Sequence, residues 1–111
     1  MKTLTDRIAI VTGAGSGIGR ATALALAAEG AIVAATDVNH DSAAETAGLI
    51  RSRGESAHFY QMDVSKRDEV TRIADEICRT LGAPGVLVNN AGFSVGGFFL
   101  DSSVQAWESI M

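Results

Sequence analysis

An α/β fold, a parallel sheet wound with helices on both faces, is predicted by three observations. Short apolar runs alternate with helical stretches of ten or more residues, the first run ends in a cluster of glycines, and Asp37, Asp63 and Asn90 close off the later runs. Such alternation calls for parallel strands, and right-handed crossovers then distribute the helices over both faces.

The first strand is read at Arg7-Ile8-Ala9-Ile10-Val11-Thr12, an unbroken apolar run of the kind buried on both sides of a parallel sheet. Ile18 to Glu29 follows the glycines. It is rich in Ala and Leu, lacks proline and stops at Gly30, where a glycine C-cap belongs. Ala31 to Thr36 is the second strand, ending at Asp37. Ser42-Ala43-Ala44-Glu45 has capping-box spacing and is expected to open a helix with Ala43, Ala47 and Ile50 on one face and Gly54 at its end. Ala57 to Met62 reads as a third, weaker strand running into Asp63-Val64. Ser65 is expected to cap the next helix, where Val70, Ile73, Ala74, Ile77, Cys78 and Leu81 recur at helical spacing with charges opposite. Gly82-Ala83-Pro84-Gly85 breaks the chain, Val86-Leu87-Val88 is the fourth strand, and Asn89-Asn90-Ala91-Gly92 leaves it in a turn. Residues 93–100 read as a loop, 102–105 as a cap and 106–111 as the opening of a helix, so residues 1–111 are expected to form an incomplete domain.

Composition bounds the function. With 47% hydrophobic and 20% charged residues the chain is of the soluble globular class. Nine basic against 13 acidic residues leave a net charge of −4, with no basic field to hold a phosphate backbone, so nucleic acid is excluded as a partner. The single cysteine, Cys78, cannot form an internal disulfide; on an apolar helix stripe it reads as a small buried hydrophobe in a reducing compartment, the cytoplasm. Residues 1–7 lack a signal-peptide core, and no segment approaches the roughly 18 apolar residues of a membrane span. No membrane association is expected. His40 and His58 have no further ligand at metal-like spacing, and Trp107 with Phe98 and Phe99 reads as packing.

The chemistry begins at the glycines. A glycine-rich turn between a first strand and a first helix lets backbone N–H groups and the positive end of the helix dipole face a pyrophosphate. Neither G-x-G-x-x-G nor a Walker P-loop is present; Thr12-Gly13-Ala14-Gly15-Ser16-Gly17-Ile18-Gly19 spells T-G-x-x-x-G-x-G. Alone, that string is also compatible with a simple turn. Asp37, however, stands about 20 residues beyond it, where an acidic side chain can accept hydrogen bonds from both hydroxyls of an adenosine ribose. Gly13, Asp37, Asp63 and Asn90 each sit just past a strand, so all four reach the sheet edge where ligands of parallel sheets bind. Singly, Asp and Asn there are ordinary turn formers.

These residues resemble the short-chain dehydrogenase/reductase family, from about Asp6 to the last residue, with Asn-Asn-Ala-Gly after the fourth strand the most specific part. The resemblance implies a Rossmann sheet in the order 3-2-1-4, continued by strands that the chain does not reach. It also implies that Gly13, Ser16, Ile18 and Gly19 border the cofactor pyrophosphate, Asp37 the adenine ribose, Asp63 and Val64 the adenine, and Asn90, Ala91 and Gly92 the nicotinamide-side ribose. Asn89 is expected to bridge neighbouring strands. An NADP phosphate beside Asp37 would meet a carboxylate, at a cost of about 4 kcal/mol for charges ~4 Å apart at an effective dielectric near 20. Neither Ser16 nor Val38 supplies a welcoming cation, and Arg20 is expected on the helix beyond. The expected cofactor is NAD.

The family's catalytic serine and Tyr-x-x-x-Lys pair have no counterpart here. The single tyrosine, Tyr60, is followed four positions on by Val64, and Ser94 lies before the next strand. The resemblance therefore implies NAD-dependent interconversion of a small-molecule alcohol and carbonyl by a longer, homo-oligomeric protein, with this chain supplying the cofactor half and inactive alone. Two other classes fit the glycine turn: a non-catalytic dinucleotide-binding module, and an S-adenosylmethionine-binding methyltransferase. The latter usually has an acid at the end of the first strand, where this chain has Thr12.

Overall fold

The computed structural model describes residues 3–90. Ala91, Gly92 and the loop, cap and helix expected at 93–111 lie outside the described residues.

Four strands, β1 (Ile8–Val11), β2 (Ile32–Asp37), β3 (Ala57–Gln61) and β4 (Pro84–Val88), alternate with α1 (Gly17–Ala28), α2 (His40–Ser52) and α3 (Arg67–Thr80). All pairings are parallel, in the order β3-β2-β1-β4. The period-2 alternation of β1 divides two cores. Ala9 and Val11 pack with Val33, Ala35 and the helix residues Ala23, Ala27, Ala47 and Ile50, whereas Ile8 and Ile10 pack with Val70, Ile73, Ala74 and Ile77 of α3. Helices α1 and α2 thus cover one face through small alanines and α3 covers the other through larger side chains. Cys78, expected to be buried on that stripe, is only half-buried at its margin.

Glycine ends the helices as expected. After α1, Gly30 N–H donates to Ala27 O and Ala31 N–H to Leu26 O; after α2, Gly54 N–H donates to Arg51 O and Glu55 N–H to Ile50 O. Both are Schellman motifs.

Helix starts differ from the sequence reading. Helix α2 opens at His40, and its cap is Asn39, whose side chain accepts from Ser42 N–H at 3.0 Å. Asn39 competes successfully because Asp37 Oδ1 holds its own N–H at 2.9 Å, fixing the turn two residues earlier. Nor does Ser65 cap α3: its N–H and hydroxyl both donate to Asp63 Oδ1, at 2.9 and 2.6 Å, and Lys66 occupies the cap position without a side-chain bond. Strand β4 begins at Pro84, earlier than expected, because a proline at the first position of a strand has no ladder bond to lose. The register with β1 shifts there, between Ile8 and Ala9.

Candidate functional site

Parallel strands bring Gly13, Asp37, Asp63 and Asn90 to one edge of the sheet, as expected, and hydrogen bonds lace that edge together. Ala14 N–H donates to Thr36 O at 2.9 Å, Met62 N–H to Asp37 O at 2.9 Å, and Asn90 N–H to Thr12 Oγ1 at 2.9 Å.

The glycine loop turns its carbonyls into the protein. Gly13 O accepts from Asn90 Nδ2 at 3.4 Å, Ala14 O from the buried Thr46 hydroxyl at 2.8 Å, and Gly15 O from Arg20 Nη2 at 2.6 Å. Gly13 makes the turn at φ +62°, a left-handed conformation that side chains disfavour. The start of α1 is bare by contrast. Ser16, at its cap, is extended and makes no side-chain cap bond, and the first turn carries no acidic residue. Ile18 beside it is 77% exposed. A helix start with no protein acceptor offers N–H donors and a positive dipole end to an anion.

Gly19 allows this packing. A Cβ there would lie 2.0 Å from Gly13 O and 2.7 Å from Asn90 Nδ2, so α1, the loop and the end of β4 meet at a point with no room for a methyl group.

Asp37 stands beside the loop. Its Oδ2 accepts from Gly15 N–H at 2.9 Å and its Oδ1 from Asn39 N–H at 2.9 Å. Each carboxylate oxygen retains acceptor capacity beyond these bonds. Asp63 lies one strand further out, where the Ser65 hydroxyl, then the Ser65 N–H, and the charge of Lys66 hold its carboxyl below the ordinary carboxylate range. Its own N–H donates to Glu69 at 2.9 Å. Val64 packs part-buried against the α3 core, and an open groove of about 530 Å³ runs from Val38 and Asp63 past Gln61 and Lys66.

Because the folded state lowers the Asp63 pKa, the stabilisation is complete above the unfolded-state pKa and is lost as pH falls through the folded value. Ser65→Ala is therefore expected to move the Asp63 titration upward, toward the ordinary carboxylate value, in an NMR pH series. Tyr60 is shifted the other way: burial raises its phenol, opposite to what proton exchange near neutral pH requires.

Three contributors were not singled out from the sequence. Thr12 is fully buried; its Oγ1 accepts from Asn90 N–H and lies 3.4 Å from both Val88 O and Asn89 Oδ1, so Asn89 does join neighbouring strands, through this hydroxyl. Thr12→Val keeps the shape but removes that acceptor, and is expected to cost about 1–3 kcal/mol in urea unfolding. Gly15, passed over within the glycine string, has no room for a Cβ, which would lie 2.5 Å from Ser42 Cβ and 2.8 Å from Asp37 Oδ2. Arg20 does lie on α1, but its side chain doubles back to Gly15 and to Glu45 and Thr46 of α2, at 2.7 and 2.9 Å. The glycine string, which Thr12 opens, hinted at the first two, and nothing local marked the Arg20 clamp.

Among the described residues, no helix is long and apolar enough to cross a membrane.

Comparison with known proteins agrees with this geometry. The family model described as short chain dehydrogenase matches residues 7–111. An oxidoreductase of Mycobacterium tuberculosis, EphD, is 41% identical over 106 residues, covering 96% of this chain and 18% of the relative. Epidermal retinol dehydrogenase 2 of Mus musculus is 43% identical over 101 residues, covering 90% of this chain and 33% of the relative. The chain thus spans a third or less of the length of these curated relatives. Among solved structures, a 7α-hydroxysteroid dehydrogenase complexed with NADH and 7-oxo glycochenodeoxycholic acid superposes with a TM-score of 0.89 at 28% identity, covering 96% of this chain and 50% of that one. A metagenomic short-chain oxidoreductase in complex with NADP gives a TM-score of 0.89 at 25% identity, covering 96% and 59%. The methyltransferase alternative finds no support in these matches. A family match running from the first strand to the last residue, on a sheet with this strand order, makes the chain a member of the short chain dehydrogenase family of oxidoreductases, with a dinucleotide-binding fold.

Proposed function

We propose that this chain is the cofactor-binding portion of an NAD-dependent oxidoreductase that interconverts a small-molecule alcohol and its carbonyl compound. The observation that carries the choice of NAD is Asp37. Its carboxylate ends β2 against the Gly15 N–H, and the cation that reaches the loop from α1, Arg20, is already paired with Glu45 at 2.7 Å. A dinucleotide fits the residues present. Gly19 lets the glycine loop close against α1, where a Cβ would lie 2.0 Å from Gly13 O, and the α1 start has no acidic residue or side-chain cap to compete with a pyrophosphate.

On this reading Gly13, Ser16, Ile18 and Gly19 bind the pyrophosphate, and Asp37 accepts from the adenine-ribose hydroxyls. Asp63 and Val64 border the adenine beside the exposed Val38, and Asn90 takes the nicotinamide-side ribose together with Ala91 and Gly92. When bound, the nicotinamide gives or accepts the hydride at the substrate carbon. This chain's own residues bind and orient; the Asn90 side chain, fixed on Gly13 O, couples the end of β4 to the glycine loop. Proton exchange belongs to groups outside these 111 residues, since Tyr60 has no lysine four positions on. The complete protein is read as a cytoplasmic homo-oligomer. The test is nicotinamide fluorescence or absorbance with panels of alcohols and carbonyls. The full-length protein is expected to turn over with NAD and the isolated 111-residue chain not to; NAD-linked alcohol oxidation by the isolated chain would overturn this division of labour.

A further inference from the structure

Arg20, the fourth residue of α1, turns its side chain back toward the glycine loop. Its guanidinium makes bonds in three directions: Nη2 to Gly15 O at 2.6 Å, Nε to Thr46 Oγ1 at 2.9 Å and Nη1 to Glu45 Oε1 at 2.7 Å. Thr46 in turn donates to Ala14 O at 2.8 Å, so the glycine loop is tied to α2 through two successive carbonyls. Gly15 is held from both ends, its N–H by Asp37 Oδ2 and its carbonyl by Arg20. The Asp37 carboxylate and the Arg20 cation therefore lie on opposite sides of one glycine. Ser42, whose Cβ crowds Gly15, closes the same corner.

The charges at this corner decide what the corner tolerates. Asp37, Arg20 and Glu45 together carry one net negative charge, because Glu45 cancels Arg20. Arg20 is largely covered, with 25% of its side chain exposed, whereas Glu45 is 64% exposed. Arg20 has bonds to Gly15 and Thr46 that do not involve Glu45, and Glu45 is the exposed member of the pair.

We infer that Arg20 is a positioning residue that sets the Asp37 carboxylate through Gly15, and that Glu45 is a determinant of cofactor choice, its charge masking Arg20 so that the corner repels a 2′-phosphate. The inference rests on the dinucleotide reading of the site. Removing the Glu45 charge brings the three-residue sum to zero while leaving Asp37 in place. A group bearing a phosphate next to Asp37 lies within a Debye length of Arg20 and gains from its unmasking.

The experiment is titration of the full-length protein with NAD and with NADP, for wild type, Glu45→Gln, Glu45→Ala and Arg20→Met, with circular dichroism as the check on folding. Both Glu45 variants are expected to shift the NADP-to-NAD affinity ratio toward NADP by roughly three- to fivefold, the range of an exposed charge contribution. Arg20→Met is expected to shift the ratio toward NAD while weakening both nucleotides. A purely structural role would weaken both equally and leave the ratio unmoved. An unchanged ratio in a folded Glu45 variant, with wild type binding NAD, overturns the inference alone. Wild type binding neither nucleotide overturns the dinucleotide reading, and the inference with it. The two Glu45 variants carry the same charge change in different side chains, so the ratio is read from whichever folds.

Discussion

Gly19→Ala is expected to weaken dinucleotide binding by about a hundredfold, the scale of an ångström-sized misplacement in a positioned site. The added methyl would begin 2.0 Å from Gly13 O, a backbone atom that cannot swing aside as a flexible side-chain end does. Relief requires the glycine loop to lift from α1 or α1 to withdraw from β4, and either motion disturbs the N–H groups at the α1 start. The Asn90 Nδ2 bond to Gly13 O is lost in the process, since the same methyl would lie 2.7 Å from that nitrogen. Stability should fall by about 1–3 kcal/mol, as for other overpacked sites. The control is Gly48→Ala. Gly48 lies exposed within α2 with nothing within 4 Å of a new Cβ, so the same chemical change there is expected to stabilise by about 0.5–1 kcal/mol. Equal NAD dissociation constants for Gly19→Ala and wild type, measured by calorimetric titration, would show that the loop does not carry the pyrophosphate.

Asp37→Ala is the second large effect, and it appears in selectivity. Loss of the carboxylate removes repulsion of up to about 4 kcal/mol against a 2′-phosphate, an upper value that exposure to solvent reduces. On the dinucleotide reading it also removes the proposed acceptors of two ribose hydroxyls. NAD affinity is expected to fall and NADP affinity to rise, so that the ratio moves by more than the tenfold that about 1.4 kcal/mol produces. The structural cost is modest, about 1 kcal/mol, because of the two N–H groups that Asp37 accepts from, that of Asn39 is exposed and only that of Gly15 is part-buried. Calorimetry with both nucleotides reads the selectivity, and urea unfolding reads the stability.

Much of this architecture is legible in the sequence because the signals are local and physical. The uninterrupted Ile8–Val11 run is buried at every residue, since helices cover both faces of the sheet, and the α3 stripe from Val70 to Ile77 faces the core as its spacing requires. Gly30 and Gly54 end their helices by bonds that only neighbouring residues make. The four strand-end residues converge because parallel topology sends every strand end to one edge. Boundaries were less legible. Asn39 and Ser42 are both good caps, and the choice between them rests on the Asp37 carboxylate holding the Asn39 N–H, a bond that spacing alone does not reveal. Ser65 has the right identity for a cap, yet its hydroxyl is drawn to Asp63. The Arg20 clamp was the least legible part of the site. It joins residues 25 and 26 positions apart in the chain, and only the packing of α1 against α2 brings them together.

The choice of nucleotide at Asp37 is tested most directly by competitive titration of the full-length protein with NAD and NADP at matched ionic strength. The Asp37 carboxylate, with Arg20 masked by Glu45, predicts NAD bound at least about tenfold more tightly. Equal affinities, or a preference for NADP, would contradict it.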